Sequence, residues 1–275
     1  MDAEPPWLFR GVHVQRDTQS RITTLAIESS AAWLAAVLLL TVRIGPVLAF
    51  APPFTLLRIP ARIRVLASIG FAASLAPSGL GAIPTLPRLV AMAGAELFIG
   101  MVVAFSLQAA FSSFYFVGRV VDVQAGFGLA MVIDPATRTQ SPLLGSIFAL
   151  GAGMVFFASN GHHDLLRLLA SLVEVLPPGA PFTAPEPDAL ISYFSTVFSM
   201  GLALGVVVMS ALFLVDIAIG FLSRTMPQMN MLVLGFQVKT LIVLLGLAAT
   251  VGLMAPAMLK VLRAALEFPA FWLSP

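Results

Sequence analysis

Cysteine is absent from the 275 residues. That excludes disulfides, iron–sulfur clusters and thiolate zinc sites, and it leaves the redox compartment open. Charge is scarce as well: Asp, Glu, Lys and Arg make up 10% of the chain, where roughly 25% is usual in soluble domains. The sequence also has no HExxH or GxSxG motif and no P-loop, so metalloprotease, serine-hydrolase and nucleotide-driven chemistry have no recognisable carrier. Basic patches interleaved with aromatics, the mark of a nucleic-acid surface, are missing too.

Hydrophobic residues account for 59% of the chain, and the mean hydropathy is +0.98. Apolar runs of helical length recur from residue 31 to about 260 with no soluble-like block between them. Runs of this length, not ten-residue alternating strands, specify an all-α integral membrane protein with one membrane domain. The formal net charge of +2 rests on few groups and says little about partners.

Residues 1–28 are polar and carry Arg10, Arg16 and Arg21. No apolar run follows closely enough for a secretory signal, so a short tail and an uncleaved first span, Ala31 to Phe50, are expected. Within that span Arg43 lies about a turn from the expected end, where snorkelling to the interface is the simplest reading. A basic, proline-rich connector, 51–64, leads to a second span from Val65 to about Ile83, interrupted by Pro77-Ser78-Gly79. The third, about Leu89 to Ser112, contains Glu96. A carboxylate at that depth pairs, protonates or faces a polar lumen; pairing with another helix or subunit is the expectation. Glu96→Gln would then change little, if a hydrogen bond is all the site needs.

Tyr115 to Ala125 follows, with Arg119 and Asp122 spaced to pair on one helix face. Next comes the most unusual stretch, Gly126 to Leu144. It holds glycines at 126 and 128, the helix-breaking pair Asp134-Pro135, and a polar patch from Thr137 to Ser141 that includes Arg138. Unpaired backbone is costly in hydrocarbon, so broken chain at membrane depth is buried in protein or lines a water-filled path. The stretch is therefore a gate or plug, or else a connecting loop at the bilayer surface. Met131 offers soft apolar packing able to seal a pore, or simple filler.

A fourth span, Pro142 to Ser159, ends at Asn160-Gly161-His162-His163-Asp164. Adjacent histidines point apart on a helix and no third spaced ligand appears, so a polar helix boundary is the reading. The proline-rich linker 177–188 precedes an apolar run of 34 residues, Ala189 to Leu222. That exceeds the roughly 20 residues of a perpendicular span. A turn at 223–230 and a last run, Met231 to Leu259, make it a hairpin, with Asp216 and Lys239 on its two arms and able to pair. Residues 264–275 read as a short tail.

The positive-inside rule gives no orientation. Drawn as six spans, the N-terminal side collects seven basic residues and the opposite side six. Hairpins that do not fully cross the bilayer would produce such a tie.

Four segments, in order and spacing, carry a resemblance that spans nearly the whole chain from about residue 30. They are RIGPVLAFAPPF with IPARIRV (43–65), VDVQAGFGLAMVIDP (121–135), NGHHDLLRLLASLVEVLPPG (160–179) and SRTMPQMNMLVLGFQVKT (223–240). Through them the sequence resembles the FliR/SctT family, export-gate subunits of flagellar and virulence-type secretion systems.

The resemblance implies a non-enzymatic subunit without cofactors, built of long, partly broken helical hairpins in a helical, conical assembly. It implies FliP-like and FliQ-like gate subunits as partners, FlhB-like and FlhA-like export components beside them, and unfolded proteins as cargo. The location implied is the bacterial inner membrane, within the flagellar basal body. Residues 29–188 correspond to a FliP-like part and 189–263 to a FliQ-like hairpin.

By the same resemblance the loop 126–144 plugs the closed pore, with Gly126, Phe127, Gly128, Met131, Asp134, Pro135 and Arg138 as its gating residues. Arg224, Pro227, Gln228 and Asn230 match the hairpin turn. Gly235-Phe236 favours the flagellar over the injectisome branch, although Gln237 stands where flagellar members commonly have proline. The competing reading is a proton-linked secondary transporter using Glu96, Asp216 and Lys239. It lacks the two-half internal repeat such carriers show.

Overall fold

The computed structural model describes residues 7–52, 54–56, 59–77, 84–127, 142–181 and 186–273, with side chains from residue 26 onward. Seven helices and no strand occur among these: α1 (Trp7–Phe50), α2 (Ala61–Leu75), α3 (Leu86–Ala125), α4 (Leu143–Ala158), α5 (Gly161–Val175), α6 (Pro187–Thr225) and α7 (Met231–Leu273). The all-α membrane fold expected from composition is thus observed. Four helices are long and apolar enough to cross a membrane, and five spans result if α4 and α5, bent by 70° against each other, count as one.

α3 is the axis of the molecule. Its 40 residues extend about 60 Å at 1.5 Å per residue, and it packs against α1, α4, α6 and α7. Small residues let these neighbours approach, as in other apolar bundles. A Cβ added at Gly100 would lie 2.0 Å from the carbonyl oxygen of Arg43, and one at Gly118 would lie 2.5 Å from the Cα of Gly145. Backbone therefore meets backbone where α3 crosses α1 and again where it meets α4. Tyr115 to Ala125, expected as a separate segment, continues α3 without a break. Asp122 within it is buried, and Ser113, just before it, satisfies its Oγ by donating to Ala110 O of the same helix at 2.7 Å.

α1 begins well ahead of the expected span, at Trp7. Its inward stripe of Ala36, Leu40, Ile44 and Val47, all fully buried, has the three- and four-residue spacing of one helix face. α2 folds back on it and ends at Leu75, and 78–83, the end of the expected second span, lies outside the described residues. Arg64 donates from its guanidinium to Ala49 O and so tethers the last turn of α1.

α6 and α7 form the expected hairpin, but α7 runs on to Leu273 where a short tail was expected. Its last turns are buried because they complete an aromatic stack. Tyr193 lies over Phe268 with ring centroids 4.2 Å apart, and Phe268 over Trp272 at 5.6 Å. Trp272 Nε1 donates to Glu186 O at 3.0 Å, and the Tyr193 hydroxyl to Ser106 O at 2.6 Å. Trp272→Ala is expected to cost about 3–5 kcal/mol. Truncation after Arg263 should lower the yield of monodisperse protein more severely still. Size-exclusion chromatography of the two variants in detergent checks both expectations.

Candidate functional site

α3 stops where the loop begins. Gly126 takes φ +85°, a left-handed conformation that is cheap only for glycine. The Phe127 N–H donates to Asp122 O at 3.0 Å and the Gly126 N–H to Val123 O at 3.2 Å, so the orphan carbonyls of the last turn are satisfied in a Schellman-type cap.

The far end of the loop is fixed by the side chain of the same Asp122. α4 opens after Pro142, which brings no side-chain cap, and the free N–H groups of its first turn need acceptors. Asp122, 3% exposed, supplies them. Leu144 N donates to Oδ1 and Oδ2 at 3.1 and 3.0 Å, and Gly145 N to Oδ2 at 3.3 Å. A carboxylate at a helix N-terminus also meets the positive end of the macrodipole. One residue thus grips both ends of 126–144, by its backbone carbonyl at the start and by its carboxylate at the finish.

The expected Arg119–Asp122 pair does not form. Arg119 faces outward with Phe116, Val120, Val123 and Gln124, lining a shallow groove. Of the expected gating residues, Gly126 and Phe127 are among the described residues, at the loop's start. Gly128, Met131, Asp134, Pro135 and Arg138 lie outside the described residues.

Arg43 corrects a second expectation, since it does not snorkel. It is 1% exposed and its Nε donates to Glu96 Oε2 at 2.5 Å. Its terminal nitrogens donate to Leu172 O at 3.0 Å and Leu176 O at 2.8 Å, the carbonyl end of α5, where a cation is favoured. Glu96 Oε1 accepts from Gly179 N at 3.2 Å. α1, α3, α5 and the 177–180 turn are thereby locked around one charge pair. The neighbour Arg43 uses lies 53 positions away in the chain, and hydropathy along the sequence cannot see it.

On the hairpin, Lys239 Nζ meets Asp216 Oδ1 at 2.5 Å, with side chains 19% and 45% exposed. At the exposed tip, Asn230 Oδ1 accepts from Val233 N at 3.4 Å in the N-cap position of α7. Arg224, Pro227 and Gln228 lie around it and are exposed. His162 and His163 sit side by side in the first turn of α5, ring centroids 4.2 Å apart. No group of three metal-capable side chains occurs among the described residues.

Sequence reasoning missed two participants. Asp122 had a readable signal: an apolar helix starting at proline without a cap needs an acceptor from elsewhere. Phe236 had none, because its contact with the loop, ring centroid 6.1 Å from that of Phe127, depends on how the hairpin docks on α3.

The family model described as bacterial export proteins, family 1, matches residues 34–265. Flagellar biosynthetic protein FliR of Escherichia coli K12 is 31% identical over 162 residues, 58% of this chain and 62% of that protein. FliR of Bacillus subtilis strain 168 is 29% identical over 214 residues, 74% and 81% of the two chains. The surface presentation of antigens protein SpaR of Shigella sonnei is 28% identical over 147 residues, 54% and 57%. The alignments thus span under two thirds of the Escherichia coli and Shigella proteins, and most of the Bacillus one. With the family match running over nearly all of its membrane helices, the chain belongs to the bacterial export proteins, family 1, the FliR/SctT family.

Proposed function

We propose that this chain is a non-catalytic subunit of the bacterial flagellar type III protein export gate. With FliP-like and FliQ-like subunits it forms the inner-membrane pore for unfolded export substrates, and its 126–144 loop plugs that pore when closed. Residues 29–188 act as the FliP-like part and 189–263 as the FliQ-like hairpin, in contact with FlhB-like and FlhA-like components of the basal body.

The observation that carries the reading is the clamped loop base. A segment too polar for lipid is held at both ends by one buried residue, Asp122, through its backbone carbonyl at the start and its carboxylate at the finish, at the end of the central helix of an apolar bundle. The uncovered sides of α6 and α7, with Phe213, Leu214, Leu232, Leu244 and Leu253 all exposed, support a chain that works among neighbours or lipid. Identities of 31% and 29% to two flagellar relatives, against 28% over a shorter stretch to SpaR, favour the flagellar branch.

The test is native mass spectrometry of the tagged chain, co-expressed with its neighbouring genes and extracted in mild detergent. The expected result is one copy in a complex several times its 29.1 kDa, and the masses of the co-purifying chains distinguish the flagellar from the injectisome set. A monomer or simple dimer would overturn the reading and return attention to Asp216 and Lys239 as transporter groups.

A further inference from the structure

α3 packs against α1, α4, α6 and α7, yet one of its faces is open. Met101, Phe105, Gln108, Ser112, Tyr115 and Arg119 are exposed or half-buried, and every other residue between Met101 and Tyr115 is buried. The gaps along this row run four, three, four, three, four, the seam spacing by which one helix receives another knob into hole. From Met101 to Arg119 the seam runs about 27 Å at 1.5 Å per residue. α6 forms one margin of it, with Phe194 against Phe105 at 6.5 Å and Phe198 against Phe116 at 6.1 Å between ring centroids.

The open face is also polar. Gln108, Ser112, Tyr115 and Arg119 lie along it, and none of these side chains has a hydrogen bond or ion pair among the described residues. The nearest carboxylate in the chain, Asp122, is committed to the first turn of α4. At the end of the seam Arg119 shares a groove of about 220 Å³ with Phe116, Val120, Val123 and Gln124, and Oε1 of Gln124 is buried there without a partner. One groove thus holds a guanidinium that lacks a counter-ion and an amide oxygen that lacks a donor. Hydrocarbon supplies neither, and polar side chains of membrane helices turn to other helices or to a cavity. A water-filled lumen does not account for Met101, Phe105, Phe116 and Val123, which are 48%, 41%, 45% and 67% exposed on the same side. Apolar and polar groups alternating at seam spacing fit a second helix.

We propose that this face of α3, from Met101 to Gln124, seats a membrane helix of another subunit, one that brings a carboxylate to Arg119 and a hydrogen-bond donor to Gln124 Oε1. The proposal rests on the reading of the chain as one subunit of an export complex and adds the face and the chemistry of one contact. Arg119 sets the height of the incoming helix, as a single polar seam residue sets register in a coiled coil. Gln124 lies about 7.5 Å further along the axis, so the donor follows the carboxylate by one to two turns. A helix carrying Lys or Arg at the first position is repelled, which selects among candidate neighbours.

The test uses the assembled complex in lipid. Phe105, Phe116 and Val123 are replaced one at a time by the photo-cross-linking residue benzoylphenylalanine, and mass spectrometry identifies what ultraviolet light joins to each. The expected products are adducts with one helix of a different subunit, a helix with Asp or Glu at the height of Arg119. Adducts with lipid or with this chain alone, or no adduct, would overturn the proposal. Arg119→Glu is expected to lower the yield of assembled complex at least tenfold. The thermal stability of the chain in detergent should not change, because Arg119 holds nothing within it. Arg119→Lys keeps the charge and should lose less, and exchanging the partner's carboxylate for Lys should restore the Arg119→Glu complex. Wild-type yield with Arg119→Glu would mean that no counter-ion is bound and would also overturn the proposal. A wild-type chain that forms no complex removes the subunit reading and this proposal together, whereas lipid adducts within an intact wild-type complex remove this proposal alone.

Discussion

Removing Leu129 to Thr139 is expected to leave the export complex assembled and to make it leak ions and small solutes. The deletion spares both tethers of the loop, since the Schellman-type cap at Gly126 and Phe127 and the Asp122 bonds to Leu144 and Gly145 lie outside it. It also leaves enough chain. Residues 128, 140 and 141 remain between Phe127 and Pro142, and four extended links reach about 14 Å. Phe127 N and Leu144 N both bond to Asp122, so the two ends of the loop start close together. The helices should therefore pack as before, and the sealing material alone is lost.

Ion flux through vesicles containing the purified complex measures the effect, with native mass as the control for assembly. Replacing 129–139 by Gly and Ser at unchanged length separates sealing by side chains from simple occupancy, because such a segment is a flexible coil without a preferred packing face. Flux from the Gly-Ser version close to that of the deletion would assign the seal to residues such as Met131 and Pro135. Flux close to wild type would assign it to chain bulk. Membranes as tight as wild type with the deletion would remove the plug from the functional reading.

The hairpin and the α4 span were legible in the sequence because each has a long apolar run bounded by turn residues. Asn160-Gly161 and Met226 to Asn230 do mark helix ends, and Asp216 and Lys239 do meet. What was not legible depends on partners remote in the chain. The segment Tyr115 to Ala125, with Arg119 and Asp122, read as separate from the third span. α3 nevertheless passes through it, because Arg119 lies on its outer face and Asp122 finds its partners in α4. Residues 264–273, with Glu267 and Pro269, lack the hydropathy of a span. They are helical because Phe268 and Trp272 find Tyr193, about 75 residues back, a burial that tertiary packing alone provides. The loop was recognisable as unusual from its residues alone; its seat on Phe236 was not.

Glu96→Gln is expected to destabilise the protein by about 3–5 kcal/mol, the usual cost of breaking a buried ion pair from one side. The sequence alone suggested a small effect. The geometry reverses that expectation because both carboxylate oxygens accept from donors, Oε2 from the Arg43 guanidinium and Oε1 from Gly179 N–H. An amide has one carbonyl oxygen, and its NH2 would face a donor in either orientation. The substitution also leaves Arg43 as a buried cation whose remaining partners are carbonyls. Arg43→Met should cost a similar amount, since it strands Glu96 and uncaps the Leu172 and Leu176 carbonyls. Arg43→Met with Glu96→Met should then be more stable than the sum of the singles implies, because no unpaired charge is left inside. Thermal stability of the three variants in detergent, followed by monodisperse peak height after heating, measures this cycle. Additive losses would mean that the two charges do not depend on each other. The same variants separate a structural pair from a proton carrier. A structural pair loses export only as far as it loses assembled complex, and the double variant recovers both together. Export lost at full assembly and unchanged thermal stability in Glu96→Gln would instead make Glu96 a proton-handling group, which its closed ring of donors argues against.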